Sequence, residues 1–447
     1  MIKMIKIKKT FSLISLFLIS ITLATVQPVD ANEELLTLDM SVHEALANNW
    51  VIKAQEDAIQ KSIFINNQSE ADLRPTFSTS YGYTRLGEIN TGRLQTGVTS
   101  FKTIDLNTRN NYLWTTTISQ PIFTGYALLS ANELAKLGID LEKINLEMEK
   151  LNLALQVKQA YFNILKADKA LEVAKSAAES LESHVDVAKN YVEAGMSPVN
   201  DQLKAEVELA NALQQIVRAQ NLSQLNRASL NKLLSRPINN PVNIQDILLF
   251  DSISPDYDEY LARALENRPE VKAINISSFQ ADQRIRMAKS RYYPQAGLSA
   301  SYSRAGDDPF VSGSRFHDES SWHAMASLTW IFWDWGKVKN SVNEVESLKK
   351  QLIKSRKILE DNIGLDLKAA ILDLEATEKN IPTTKKAIEQ AMENLRVSRE
   401  RYEAQMTTST EVLDAQTLLS RARVNYYNAL YNHNLAKASL LKSIGEY

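Results

Sequence analysis

The sequence contains no cysteine, and for its 447 residues it has little glycine (13) and little proline (11). The absence of cysteine excludes disulfides, thiolate metal sites, cysteine nucleophiles and a lipid attached to an N-terminal cysteine. The scarcity of glycine and proline favours long uninterrupted helices. A charge excess is missing too, because 51 basic residues face 53 acidic ones. A near-neutral chain lacks the basic footprint of a nucleic-acid-binding protein, so no nucleic-acid partner is expected.

Recognisable catalytic and cofactor motifs are also lacking. The chain has no glycine-rich phosphate loop and no nucleophile motif, and its histidines are scattered: His43, His184, His317, His323 and His433. We therefore expect no catalytic residue, no cofactor and no enzymatic activity. The sequence His317-Asp318-Glu319 could bind a metal, but its polar surroundings favour an ordinary surface loop, so no metal site is expected.

The N-terminus resembles an export signal. Lysines 3, 6, 8 and 9 precede an apolar run from Phe11 to Ala24, and Val29-Asp30-Ala31 offers a small-residue cleavage site. The run is too short to span a bilayer comfortably. The pattern predicts a cleaved signal peptide over residues 1–31, and the alternative is a single N-terminal membrane anchor. No later apolar run is long enough to span a bilayer, so no transmembrane helix is expected in the mature chain.

The remainder of the chain contains an internal repeat. "LRPTFSTSYGYTR" (73–85) aligns with "YYPQAGLSASYSR" (292–304), and "EAGMSP" (193–198) aligns with "EAQMTT" (403–408) at a slightly shorter offset. We predict repeat 1 over residues 32–237 and repeat 2 over 257–447. The Pro- and Asn-rich segment 238–256 reads as a linker between them.

Each repeat is predicted to contain a helix, two strands and two long helices. The first helix should cover residues 41–73, with Ser41 as its N-cap and Glu44 completing a capping box. The strands are expected at about 76–86 and 112–122, and at about 295–304 and 322–333. The long helices are expected at about 125–193 and 201–235, and at about 339–404 and 410–443.

The predicted strands alternate apolar or aromatic residues with small polar ones over about ten positions, as in Phe77, Tyr81 and Tyr83. Such alternation is typical of transmembrane β-strands, and a half-buried sheet in a soluble domain would look alike. Aromatic residues near the strand ends and polar loops between the strands favour the membrane. Because open sheet edges are not tolerated in lipid, four strands per chain require several chains to share one barrel.

The long helices carry a coiled-coil pattern. No glycine or proline occurs between Gly138 and Gly195, and apolar residues there recur at alternating spacings of three and four. Such a heptad period makes helices supercoil around partners. A second apolar stripe that includes Leu153 and Val157 would let one helix pack between two neighbours.

Together these residues resemble the TolC family of outer-membrane efflux and secretion channel proteins. The resemblance covers nearly the whole mature chain and depends on "LDMSVHEALANN", "SQPIFTG", "YVEAGMSP" and "RYEAQMTTSTEVLDAQ" occurring in this order. It implies a mainly α fold with transmembrane β-structure: a homotrimer in which a 12-strand β-barrel in the outer membrane continues into a 12-helix periplasmic α-barrel. The linker would help to build an equatorial band.

The resemblance also implies the function and the partners. The protein would be the exit duct of a tripartite efflux pump or type I secretion system. It would contact outer-membrane lipid, a periplasmic adaptor and an inner-membrane transporter of the RND, ABC or MFS type. A periplasmic coiled-coil scaffold or activator that never enters the membrane is the alternative, but it would not explain the four alternating segments.

Carried over by position, the family's adaptor-docking tips fall on two short segments. They comprise Ala194, Gly195, Met196 and Ser197 in repeat 1, and Ala404, Gln405, Met406 and Thr407 in repeat 2. The family usually has glycine where Gln405 stands, and a tight turn favours glycine because it allows positive φ. The sequence therefore leaves the geometry of the second tip open.

The family's paired acidic residues at the pore constriction fall on Glu411 and Asp414. In a trimer they would form rings of carboxylates that attract cations, whereas from their spacing alone they would be an ordinary solvated face. Asp201 and Tyr402 match a pair that holds the closed state in some members. The supporting arginine of that pair is replaced here by Thr407, and Tyr402 could instead simply pack against the adjacent helix.

Overall fold

The computed structural model describes residues 35–247 and 250–447. The expected signal peptide lies outside the described residues. Eight α-helices are present in this part of the chain: α1 (Leu38–Asn48), α2 (Trp50–Ala71), α3 (Ala127–Glu193), α4 (Val199–Leu233), α5 (Tyr257–Asn267), α6 (Pro269–Lys289), α7 (Lys337–Glu403) and α8 (Ser409–Ser443). The strands are β1 (Thr76–Arg85), β2 (Thr91–Gln95), β3 (Phe101–Asp105), β4 (Asn110–Phe123), β5 (Gln295–Gly306) and β6 (Ser320–Thr329).

The two halves of the chain have long helices of the same lengths and strand hairpins of the same register. α3 and α7 each contain 67 residues, and α4 and α8 each contain 35. Thr76 pairs with Ser119 in the β1–β4 hairpin, and Gln295 pairs with Thr329 in the β5–β6 hairpin. Thr76 and Gln295 are equivalent by the same offset that relates residues 73–85 to 292–304. Ser119 and Thr329 are equivalent by the shorter offset that relates residues 193–198 to 403–408.

β1, β4, β5 and β6 form one antiparallel sheet in that order. Since residues directly opposite each other share a face, the pairing gives the sheet one face rich in aromatic and aliphatic residues and one face of mainly small polar residues. The first face carries Phe77, Tyr81, Tyr83, Tyr112, Trp114, Ile118, Tyr302, Trp322 and Leu328. The second carries Ser78, Ser80, Thr115, Thr117, Ser119, Ser301, Ser303 and Ser327.

Side chains make contact across the strands on both faces. On the aromatic face Tyr83 stacks on Tyr112 with ring centroids 4.6 Å apart. On the polar face the hydroxyl of Thr117 lies 2.9 Å from that of Ser301. The amphipathic pattern read from the sequence is therefore that of a single continuous sheet.

The predicted first helix is wrong in two respects. It is two helices, because Asn49 is extended (ψ 135°), caps α2 through its side chain and donates to the carbonyl of Leu233, 2.7 Å away. The N-cap of α1 is Thr37 rather than Ser41, which lies inside the helix and donates to the Thr37 carbonyl. Glu44 completes no capping box, since its carboxylate pairs with Arg236.

Two predictions for the sheet region also differ from the structure. The loop expected between the first two strands contains the hairpin β2–β3, in which Thr91 pairs with Asp105. The strand expected at 322–333 ends at Thr329, because its partner β5 begins opposite it at Gln295. Residues 330–333 therefore continue past the point where β5 could pair with them.

Helix α3 is the centre of the helical region. It packs against α4 and α8 over its second half and against α2 and α6 nearer the sheet. Its second apolar stripe, including Leu153, Val157 and Ile164, is buried in the main core with α1, α2 and α8. The Tyr161 hydroxyl, within this core, lies 2.9 Å from the carbonyl oxygen of Leu36 and 2.8 Å from that of Gln245. Burial raises the pKa of Tyr161 to about 12.

The segment between the two halves is fixed to the long helices by polar contacts. Arg227 on α4 donates to the Val242 carbonyl and pairs with Asp168 on α3 at 2.8 Å. Asn231 donates to the carbonyls of Ile238 and Asn240. The linker is therefore bonded to α4, which is itself paired with α3, around the middle of the helical region.

We expect Tyr161→Phe to loosen this attachment by about 1 kcal/mol, because it removes the hydroxyl that reaches the Leu36 and Gln245 carbonyls. Hydrogen exchange of the Leu36 and Gln245 amides, which bond to Asn243 and Leu36, should accelerate accordingly. Tyr427→Phe is the control, since the Tyr427 hydroxyl makes no hydrogen bond among the described residues and its ring faces Lys169. Equal exchange in the two variants would show that the Tyr161 hydroxyl does not fix the segment.

Candidate functional site

The candidate site consists of the two turns that join the long helices, α3 to α4 and α7 to α8. Both turns have the Schellman arrangement of hydrogen bonds. The amide of Met196 donates to the carbonyl of Tyr191 at 2.8 Å, and the amide of Met406 donates to that of Arg401 at 2.8 Å. The predicted tip residues of both repeats lie in these turns, so the two tips share one backbone design.

Gln405 adopts the left-handed conformation that its twin Gly195 adopts. Gln405 has φ of 58° and Gly195 has φ of 73°. A non-glycine residue in this region costs roughly 1–2 kcal/mol, yet the turn keeps the same hydrogen bonds. The question left open by the sequence is thus answered: the second tip has the geometry of the first and contains backbone strain at one residue.

The tips expose a methionine each, Met196 at 58% and Met406 at 70%. In each tip, the hydroxyl of the residue after the methionine donates to a carboxylate in the first turn of the helix that follows, α4 or α8. Ser197 donates to Asp201 at 3.1 Å, and Thr407 donates to Glu411. Asp201 and Glu411 are therefore equivalent in position and in local bonding.

Glu411 and Asp414 lie on the exposed face of α8, while Val412, Leu413 and Ala415 beside them are buried. Glu411 also pairs with Arg401 at 3.4 Å, a neighbour that sequence reasoning missed. Both Arg401 and Glu411 are roughly half exposed, so this pair is weak. Within one chain, Asp414 forms no ion pair with any described residue.

Tyr402 and Asp201 reach the same junction but do not bond to each other. Tyr402 is 4% exposed, and its hydroxyl has no hydrogen-bond partner among the described residues. Burial, and to a smaller degree the charge of Asp201, raises the pKa of Tyr402. Ser197 opposes this rise in pKa, but its hydroxyl donates to Asp201 and makes no well-formed hydrogen bond with the Tyr402 hydroxyl.

His184, which the sequence did not single out, links the two helical hairpins α3–α4 and α7–α8 at this junction. Its Nε2 lies 2.8 Å from the Ser409 hydroxyl at the start of α8, and its ring contacts that of Tyr402 at 5.0 Å between centroids. The Ser409 hydroxyl is also 3.5 Å from the Asp201 carbonyl. Burial, assisted by Arg399 and opposed by Asp201, lowers the pKa of His184 to about 4.

Further polar contacts continue along α3 on both sides of His184. Ser180 donates to Gln416 at 2.5 Å, and Arg423 donates to Ser176 at 3.0 Å. Nearer the tip, the Tyr191 hydroxyl donates to the carbonyl of Glu403 at 3.1 Å. The only sequence signal for this row is that its α3 members recur at helical spacings. Their partners lie in the other repeat, so the contacts themselves could not be read from the sequence.

No cluster of three potential metal ligands occurs among residues 35–247 and 250–447. At the loop considered for a metal, Glu319 pairs with Arg304, and the backbone of His317 bonds to Ser314. None of the helices in the described part of the chain is both long and apolar enough to cross a membrane.

We expect Gln405→Gly to stabilise the second tip by about 1 kcal/mol, because glycine adopts positive φ without steric cost. Hydrogen exchange of the Met406 amide should slow down. Thr408→Gly is the matched control, since Thr408 is extended at φ −91° and glycine there should weaken the tip. Faster exchange in Gln405→Gly would contradict the account of strain at this residue.

We expect the tip junction to lose stability in acid because of His184. The folded chain keeps its ring neutral down to about pH 4, whereas the unfolded chain binds a proton below about pH 6.5. The contribution of neutral His184 to the free energy of unfolding is therefore complete above pH 6.5. It is lost as the pH falls toward 4, which lowers the stability by up to about 3 kcal/mol. The midpoint of thermal unfolding should fall with pH less steeply in His184→Gln than in the wild type. Parallel slopes would contradict this assignment.

The comparisons with known proteins agree on the family. The sequence model of the outer membrane efflux protein family matches residues 41–236 and 260–446. The chain is 21% identical to TolC of Vibrio cholerae over 65% of its own length and 66% of the relative's. It is 21% identical to TolC of Escherichia coli over 64% of its own length and 60% of the relative's. The chain thus spans somewhat less than two thirds of these relatives.

The crystal structure of the outer membrane channel CmeC of Campylobacter jejuni superposes with a TM-score of 0.75 at 16% identity, covering 91% of this chain and 85% of CmeC. This likeness establishes the fold. The family match agrees with the expectation that the chain is not an enzyme. The resemblance read from the sequence is confirmed, and the chain belongs to the outer membrane efflux protein family.

Proposed function

We propose that this protein is the outer-membrane exit duct of a tripartite efflux pump or type I secretion system. Substrates would pass through it from an inner-membrane transporter and a periplasmic adaptor to the exterior. The observation that carries the proposal is the four-stranded sheet, which has an aromatic face, a small polar face and two edges unpaired within the described chain. Only a closed barrel satisfies such edges in lipid.

Three copies of the chain would close the barrel with twelve strands, four from each chain. The aromatic face would contact outer-membrane lipid, and the polar face would line the pore, as in transmembrane barrels generally. All ten residues of β1 and all ten of β6 are exposed in the single chain. Pairing between copies would cover the backbones of both strands.

The helices support the same assembly. α4 and α7 lie on opposite sides of the α3–α8 pair, and each exposes apolar residues, including Val199, Leu203 and Val207 on α4 and Ile353, Ile358 and Leu365 on α7. Exposed apolar rows of this kind mark interaction surfaces. In a homotrimer α4 would face α7 of the next copy, giving a periplasmic barrel of twelve helices.

The tips would form the periplasmic end of the duct. Their exposed Met196 and Met406 suit an adaptor, because methionine adapts to varied apolar partners. Glu411 and Asp414, on the exposed face of α8, would line the constriction. Tyr402 and Asp201, at the junction of the two hairpins, would belong to the contact that holds the closed state.

Conductance in planar lipid bilayers tests the proposal. We expect the purified protein to form channels that prefer cations, since carboxylate rings in a narrow pore attract them. Glu411→Ala with Asp414→Ala should reduce this preference severalfold. The charge-matched control is Glu389→Ala with Glu393→Ala, two exposed acids on α7 that pair with Lys386 and Arg396.

Equal selectivity in the two double variants would remove Glu411 and Asp414 from the constriction. A protein that stays in the soluble periplasmic fraction and forms no channel would contradict the duct itself. That outcome would favour a periplasmic coiled-coil scaffold or activator.

A further inference from the structure

The segment that leads from β6 into α7 exposes a dense group of apolar side chains. We call this segment, residues 330–336, the β6–α7 corner; its equivalent in repeat 1 is residues 120–126, which lead into α3. Over 120–126 the large exposed apolar residues are Ile122 and Tyr126. In the β6–α7 corner they are Trp330, Ile331, Phe332, Trp333 and Trp335. The two corners occupy the same place in the fold but present different surfaces.

Trp335 adopts a backbone conformation that suits glycine. Its φ is 58°, and that of its repeat equivalent Gly125 is 63°. Bulky residues rarely adopt this conformation, and burial within the chain does not compensate here, because the side chain is 88% exposed. Backbone strain of this kind clusters at functional sites. The tryptophan is therefore explained best by a contact outside the chain.

A cavity of about 480 Å³ lies beneath these aromatic residues, and Arg291 contributes to its lining. Arg291 lies between α6 and β5, is exposed, and forms no ion pair with any described residue. The carboxylate of Asp334 also lines the cavity, but it accepts from the amides of Gly336 at 3.0 Å and Val338 at 2.7 Å. Asp334 thus caps the start of α7, and the guanidinium of Arg291 is left for another anion.

The positive charge is specific to the second corner. Asp72 stands at the repeat equivalent of Arg291, and the corresponding cavity in repeat 1, of about 300 Å³, is lined by no charged residue. Lys337 and Lys339 stand in the first turn of α7, which contains no acidic residue, where α3 has an alanine and a leucine. Cations are disfavoured at a helix N-terminus, so their placement is explained by an external negative charge.

We propose that the β6–α7 corner and Arg291 bind the headgroup of an anionic phospholipid in the periplasmic leaflet of the outer membrane. The inference rests on the proposed duct, which places the sheet in that membrane and the long helices in the periplasm. Leu328, on the aromatic face of the sheet, is two residues before Trp330. The corner therefore begins where the surface that would contact lipid tails ends.

The two chemical parts of the corner match the two parts of such a lipid. A guanidinium recognises phosphate through paired N–H groups, and basic pockets at the membrane surface bind anionic headgroups. The indole of Trp330 donates to the Tyr292 carbonyl at 3.1 Å, whereas those of Trp333 and Trp335 make no hydrogen bond with described residues and are free to donate to the headgroup. Tryptophan rings at this depth cover the upper ends of acyl chains.

Lipid retention measured by native mass spectrometry tests the site. Protein extracted from membranes and exchanged into detergent with equal amounts of phosphatidylglycerol and phosphatidylcholine should retain severalfold more phosphatidylglycerol. Arg291→Gln should remove most of this preference. The charge-matched control is Arg284→Gln, an exposed guanidinium on α6 that does not line the cavity. Equal preference in the two variants, or none in the wild type, would overturn the site.

Trp335→Gly tests the site without endangering the fold. Glycine adopts positive φ freely, so the midpoint of thermal unfolding should stay the same or rise while the preference for phosphatidylglycerol falls severalfold. Trp50→Ala is the control, because Trp50 is an exposed tryptophan at the start of α2, outside the cavity. An unchanged preference in Trp335→Gly would overturn the role of the strained tryptophan.

The other candidate for covering this corner is a second copy of the chain. In that case Arg291→Gln and Trp335→Gly would dissociate the oligomer in mild detergent, and the oligomers that remain would retain lipid as the wild type does. That result would overturn the lipid site. Channels in planar bilayers from a protein without any preference for phosphatidylglycerol would also overturn the site but leave the duct intact. A soluble protein that forms no channel would overturn both.

Discussion

The backbone groups at the two edges of the four-stranded sheet are the constraint on which the rest of the structure depends. A β-strand in lipid has no water to satisfy its unpaired N–H and C=O groups, and each such group costs several kcal/mol. β1 and β6 present a full row of them. One chain therefore cannot satisfy the backbone groups at the edges of its own sheet, and the proposed assembly of identical chains would satisfy them.

The long helices, like the strands, expose surfaces that neighbouring chains would cover. Because both repeats attach a helix of 67 residues directly to a strand hairpin, the packing of the strands and of the helices must follow one symmetry. α3 is enclosed by neighbours within its own chain, whereas α4 and α7 expose apolar residues at the sides. The linker is held to the long helices of repeat 1 by Tyr161, Arg227 and Asn231.

At the far end, the two tips share a backbone but differ in chemistry. Gly195 adopts positive φ freely, whereas Gln405 does so at a cost. Asp201 and Glu411 occupy equivalent positions, but Lys204 stands where Asp414 stands in the second tip. Lys204 reaches across to the Thr410 hydroxyl at 3.3 Å, so the first tip contributes a cation to the junction and the second contributes two carboxylates to the exposed face. The two helical hairpins therefore differ in charge at equivalent positions.

Much of this organisation could be predicted from the sequence because it repeats. Alternation, heptads and turn residues occur twice in the same order, so each repeat supports the interpretation of the other, and the resemblance to a family follows from their order. Local exceptions were harder to predict: the break at Asn49 depends on a hydrogen bond to Leu233, far away in the sequence at the end of α4.

At the candidate site, too, the sequence could predict the positions of residues but not their contacts between the repeats. The tip residues could be placed by position in the repeat, and the conformation of Gln405 then follows from its twin. His184 could not be predicted, because its partners Ser409 and Tyr402 lie on the other hairpin. Asp201 and Tyr402 make no hydrogen bond with each other in the single chain, where Asp201 accepts from Ser197. Sequence reasoning thus found the positions and missed the contacts between the repeats.

The central claim is that the edges of this sheet are completed by other copies of the same chain. Native mass spectrometry of the protein extracted from membranes tests it most directly. The account predicts a particle of three chains that releases single chains only on denaturation. A particle containing one folded chain, stable in the membrane with both strand edges unpaired, would contradict it.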